Sequence, residues 1–360
     1  MTEIGIHIGI PVSGWLYYKI EVVSVRGSLS KNLQILEWGN DMKTLASFLP
    51  ILFLLVNCSE SNEDGHWSLV RDQEDDITYY AIQFADENHG WIVGYQGTIM
   101  NTSNGGDSWQ SQSSGLISNL WDISFVDKDM GWICGANGTL LKTENGGATW
   151  TTLLAGDTLD GIFVSVAFVD ENFGWLSNNN GSILKTIDGG LSWELKKKHS
   201  SAGSRLAVFD ALTQYHLHGR LYRTYDGGSN WDTVDVAYPD NYTGWVMHFP
   251  DKDHGFIPTM NGTGGMFITQ YPVLMTDDAG QSWQESSYLE TGGLRSVYFV
   301  DKNTGWVAGS NQVYSTKDGG EHWNLEFESS DFYAKDMHFV DEFHGWTVNY
   351  DGRVFKYTKN

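Results

Sequence analysis

The chain is poor in the residues that staple small extracellular folds or carry a protein onto nucleic acid. Two cysteines in 360 residues, Cys58 and Cys134, cannot supply a disulfide framework. Lys and Arg total 22 against 45 Asp and Glu, a formal net charge of −23, and the arginines after residue 58 are scattered rather than gathered into stripes. That balance argues against a nucleic-acid partner and leaves room for a cationic one. The longest apolar run, Leu45 to Val56, is too short to span a bilayer comfortably. Proline is scarce at 6, whereas Gly reaches 41 and Trp 16, a combination that suits many short strands joined by tight turns.

Internal repetition is the strongest signal. Six segments share one pattern: TSNGGDSW ending at Trp109, TENGGATW at Trp150, TIDGGLSW at Trp193, TYDGGSNW at Trp231, TDDAGQSW at Trp283 and TKDGGEHW at Trp323. The interval of roughly forty residues fits one four-stranded antiparallel blade per repeat. Within each box an Asp or Asn bonds amides of its own turn and the glycines accept positive φ, so the box is a hairpin and its carboxylates are structural. Gly90-Trp91, Gly131-Trp132, Gly174-Trp175, Gly305-Trp306 and Gly345-Trp346, with Gly255-Phe256 as a variant, mark second strands. Unit four lacks this mark and is short, and unit five carries an insertion around PTMNGTGGMFITQYP.

A seventh unit opens at DMHFVDEFHGW without a box of its own, and Trp67 in HWSLV lies one period before Trp109. The expected fold is therefore all-β: a seven-bladed propeller over residues 66–360, built of four-stranded antiparallel blades and closed by the N-terminal strand.

The sequence from Met42, MKTLASFLPILFLLVNCSESNEDG, resembles a bacterial lipoprotein signal, with Cys58 as the lipidated residue of the mature chain. Asn57 departs from the small residue usual before that cysteine. Residues 42–57 are thus expected to be the signal and 58–65 a linker. No structural pattern is assigned to residues 1–41, which are read as an extension from a mis-called start. The expected location is the bacterial cell envelope, at the outer membrane, periplasmic or surface-exposed, with the lipid as the sole membrane contact.

The recurrence of FVD, GW, GTLLKT and DGGxTW motifs over residues 66–360 resembles the BNR/Asp-box superfamily, and within it the photosystem II stability and assembly factor-like repeat family. That resemblance implies a seven-bladed propeller that binds protein subunits while membrane complexes assemble. Asp boxes also occur in sialidases, sortilin-type receptors and certain β-glucan hydrolases, so they identify architecture rather than chemistry.

Four residues before each first-strand phenylalanine stand Tyr80, Trp121, Val164, Arg205, Trp245, Arg295 and Lys335. First strands lie innermost, so this register is expected at the channel entrance. There Tyr80, Trp121, Arg205, Trp245, Arg295 and Lys335 would grip carboxylates, sugars or peptide side chains. The alternative weighed equally is that the rings pack between blades and the cations reach solvent. Asp122 and Asp336 share the next register and raise glycoside hydrolysis as a second function. Sialidase chemistry would want an Arg-Ile-Pro segment, which does not occur. His89, His254 and His344 recur before second strands and are read as caps on a bend rather than metal ligands, and Cys134 as a buried inert thiol. The leading expectation is a monomeric, non-catalytic, lipid-anchored module without metal or cofactor that binds a protein or peptide across the channel face. Glycan binding, with or without hydrolysis, is the alternative.

Overall fold

The computed structural model describes residues 3–9, 17–23, 65–72, 77–153, 161–199, 205–262 and 269–359, and they fall into two units, Met1–Asn62 and Glu63–Asn360. In the first unit Glu3–Gly9 pairs antiparallel with Tyr17–Val23, Glu3 opposite Val23 and Gly9 opposite Tyr17. The alternation of Ile4, Ile6 and Ile8 with Glu3, Gly5 and His7 is the period-two pattern that such a pairing needs. Sequence reading assigned no structure there. The proposed signal segment and Cys58 lie outside the described residues.

The second unit is an all-β propeller. Units one to four are four-stranded antiparallel sheets whose strands follow in chain order, beginning at Tyr79–Phe84, Leu120–Phe125, Phe163–Phe168 and Leu206–Val208. Unit five is broken up: Gly255–Pro258, Val273–Thr276 and Gln284–Glu285 form a three-stranded sheet, and the insertion makes two small pairs beside it, Tyr242–Thr243 with Met260–Asn261 and Gln270–Tyr271 with Leu289–Glu290.

The last two repeats share one six-stranded sheet: Leu294–Phe299, Gly305–Thr316, Asn324–Phe339, His344–Asn349, Val354–Thr358 and finally His66–Arg71. Six sheet groups therefore stand around the ring instead of seven separate blades. Pairing does not stop between units six and seven, because Ser310 sits opposite Tyr333 and Gln312 opposite Glu328 on one continuous pair of strands. The closure by the N-terminal strand is as expected, with Trp67 opposite Tyr357.

One device joins most neighbouring units. The Trp of a Gly-Trp pair lies flat on the first-strand Phe of the next unit: Trp91 on Phe125 at 3.6 Å, Trp132 on Phe168 at 3.6 Å, Trp306 on Phe339 at 3.7 Å and Trp346 on Phe84 at 3.4 Å. Its indole N–H reaches on to the next unit's box and donates to the first glycine carbonyl, from Trp91 to Gly146, Trp132 to Gly189 and Trp346 to Gly105, at 2.9–3.0 Å. The box Trp then meets the same Phe edge-on, as Trp109 does Phe84 and Trp150 does Phe125. In unit seven, which has no box, Trp67 stands edge-on to Phe339 at 5.8 Å and fills the box tryptophan's place. The glycine of the pair is required by packing, since a Cβ at Gly131 would lie 2.6 Å from the Phe125 ring.

The boxes are turns held by their own side chains. In unit three Gly190 N–H donates to Thr186 Oγ1 at 3.0 Å and Ser192 N–H to Asp188 Oδ1 at 2.9 Å. The same bonds recur from Asn104 to Asp318. Backbone N–H donation from Asn230 and from His322 holds the Asp226 and Asp318 carboxyls down at about 2.

Candidate functional site

In the last and first two units the first-strand register gathers rings and cations into one run. Tyr80 stacks on Trp121 with centroids 4.3 Å apart and planes 25° from parallel. Lys335 Nζ stands 5.9 Å from the Tyr80 centroid and 5.2 Å from that of Tyr350. Beside it the Arg295 guanidinium lies 4.5 Å over Tyr333. All of these side chains are half-buried or exposed.

Arg205 plays a different part. From unit four it reaches Asp336 in unit seven, Nη2 to Oδ1 at 2.9 Å, while the Ile82 N–H of unit one donates to Asp336 Oδ2 at 3.1 Å. Burial raises the Asp336 carboxyl, opposed by Arg205 and that amide. Burial works against the Arg205 charge too, but Asp336 and Asp122 more than hold it up. Lys335 is lowered, first by burial and then by Arg205. Arg205 and Lys335 thus feel one another, and the buried acids neutralise them in part.

Asp122 is buried as well, accepting from Ser165 Oγ at 2.7 Å and from Val166 N–H at 3.0 Å. Both acids of this register tie neighbouring units together, and in these positions neither is presented to a substrate as a hydrolytic pair requires. Trp245 belongs to the broken fifth unit and is 61 % exposed. Val164, in unit three, is half-buried and supplies neither ring nor charge to this register.

Tyr333 and Tyr350 were not among the residues expected at the mouth. A signal for Tyr350 exists in the sequence: Tyr95 and Tyr350 each follow the last residue of a second strand, in GYQG and NYDG, and they are 38 % and 37 % exposed. Away from the mouth, His89, His254 and His344 each place Nδ1 2.9 Å from the aspartate three residues earlier, Asp86, Asp251 and Asp341. Those aspartates also accept the backbone N–H groups of their own bend. Cys134 is fully buried, and burial pushes its thiol well up. Among the described residues no helix is long and apolar enough to cross a membrane.

Residues 59–118 match the family model described as photosynthesis system II assembly factor YCF48. The photosystem II assembly lipoprotein Ycf48 of Synechocystis sp. is 35 % identical over 74 residues, a match covering 20 % of this chain and 21 % of that protein. The chain therefore aligns with about a fifth of that relative's length. Among solved structures, YCF48 from Cyanidioschyzon merolae superposes with a TM-score of 0.68 at 18 % identity, over 81 % of this chain and 98 % of that one. YCF48 bound to D1 peptide gives 0.67 at 19 %, over 82 % and 97 %. The GH74 xyloglucanase from Xanthomonas campestris gives 0.62 at 14 %, over 80 % and 53 %, and at that identity the likeness is one of fold. With its ring of Gly-Trp and box units the chain is a β-propeller whose opening repeat, residues 59–118, matches the YCF48 family model.

Proposed function

We propose that this propeller is a non-catalytic module that grips a segment of a protein partner at the channel mouth and so assists the assembly of a membrane complex. The observation that carries this reading is the run Tyr350, Lys335, Tyr80, Trp121 with Arg295 on Tyr333 beside it. Such a run pairs flat apolar faces with cations that take carboxylates, inside a chain whose net charge of −23 repels anions elsewhere. A YCF48 relative of the same fold has been solved with a D1 peptide, which favours a peptide over a glycan. Arg205 acts here as a positioning residue, its charge already shared with Asp336. Trp245 extends the grip to the side of unit five.

The same reading takes the six-stranded sheet as the sixth and seventh blades run together, so that seven units surround the channel. It also takes Cys58 as lipidated after removal of residues 42–57, tethering residues 66–360 to the cell envelope. Labelling with radioactive palmitate should be lost in Cys58→Ser.

Titration calorimetry with a synthetic D1 peptide and with xyloglucan oligosaccharides tests the partner class. The peptide should bind, and Trp121→Ala and Arg295→Ala should each weaken it at least tenfold. Unchanged peptide affinity in both variants, or oligosaccharide binding without peptide binding, overturns the reading.

A further inference from the structure

Three histidines converge at the seam between units three and four, away from the boxes and outside the channel-mouth register. His216 and His218 stand two apart on Gln214–His218 and so share a face of that strand. His199 follows the edge strand Glu194–Lys198 of the preceding unit. The Nε2 atoms of His199 and His216 face each other 2.7 Å apart, and the His199 and His218 rings are 5.1 Å apart between centroids. Tyr222 packs against both, parallel to His216 at 5.0 Å and 4.3 Å from His199.

His216 is fully buried, yet its Nδ1 has no hydrogen-bond partner and its Nε2 meets another imidazole. A neutral imidazole carries one N–H and one lone pair, and a buried ring ordinarily satisfies both. Burial lowers His199 to about 4 and His216 well below the usual imidazole range.

We propose that His199, His216 and His218 form a binding site for Zn²⁺ or Cu²⁺ that staples unit three to unit four. Imidazole is the ligand that suits these ions. Zn–N bonds of 2.0–2.1 Å set two tetrahedral ligands ~3.3 Å apart, so the facing nitrogens open by about half an ångström to admit the ion. His218, half-buried at the end of its strand, would have to turn its ring toward the facing pair to become the third ligand. The site would replace the usual inter-unit staple where it fails, since at this seam the Trp175 indole N–H has no hydrogen-bond partner. Lys197, its ammonium 5.2 Å from the Tyr222 centroid, is the charge that opposes a cation here.

The test is calorimetric titration of Zn²⁺, and Cu²⁺ with electron paramagnetic resonance, into the chelator-treated full chain. One equivalent should bind with a rise in melting temperature, and the copper spectrum should show nitrogen ligands. His199→Gln and His218→Gln, both at half-buried rings, should each weaken binding at least tenfold while keeping the metal-free melting temperature within a few degrees. Lys197→Met should tighten it. His322→Gln, beside the exposed Asp318 and Glu321, should leave it unchanged. Absence of binding overturns the proposal, as does affinity unaffected by His199→Gln or lost in His322→Gln.

Discussion

Two stretches of the ring solve the same joining problem differently. Between units one, two and three each Gly-Trp tryptophan stacks on the next Phe and donates its indole N–H to the next box. Between units four and five Tyr215 stands where that Trp would be, edge-on to Phe249 at 5.2 Å, with its hydroxyl donating to Lys252 O. The box carbonyl it cannot reach, Ala279 O, is taken by Arg223 Nη1 at 2.6 Å. The regular seams place stacking and hydrogen bond on one side chain, whereas the irregular seam divides them between two. Each seam still satisfies its box, so the joint is conserved in function where the motif is lost.

That comparison can be broken most forcefully at a regular seam. Trp132→Ala removes a fully buried ring, its stack and its bond together and should cost ~3–5 kcal/mol, read by urea denaturation. A smaller loss would mean that the seam repacks.

Acidification probes the half-buried histidines of three units. His199 and His248 sit near 4 and His338 near 3, each lowered first by burial, against about 6.5 in an unfolded chain. Unfolding then takes up protons, so stability is whole above about pH 6.5 and falls as pH drops toward 4. Melting temperature against pH should show the fall. His338→Phe should flatten it more than His89→Phe.

Arg223→Met leaves the Ala279 carbonyl without its donor and should cost ~1–3 kcal/mol. The finest discrimination is between two tryptophans. Trp132→Phe forfeits a buried indole bond and should cost ~1 kcal/mol beyond its packing loss, while Trp175→Phe forfeits none, because that N–H is already unpartnered. Equal losses would show that the indole bond adds nothing to the seam.

The parts of the fold that repeat were readable from the sequence, because a period fixes register. Trp67 could be placed in the last sheet from its distance to Trp109, and the box aspartates could be assigned to turns. What happens across the ring was not readable. The period puts Arg205 and Asp336 at equivalent heights without saying that one reaches the other, and the pairing depends on which units face each other. Nor does it show that strands continue between units six and seven, where Asn311 takes a φ of 73° and lets pairing run through a bend that elsewhere ends a strand. The His199–His216 contact escaped for a related reason: it crosses a seam, and His216 belongs to unit four, whose pattern is weak. Tyr350 was visible in retrospect through its likeness to Tyr95.

The pairing of His66–Arg71 with Val354–Thr358 also imposes an order in time. During synthesis the strand that emerges at the start of the ring must wait for almost the whole of it before its partner leaves the ribosome. Until then Trp67 has neither Phe339 nor Tyr357 to cover it. The ring is thus locked only by its last-made residues, and a nascent chain stalled anywhere before Val354 carries an open sheet edge at each end.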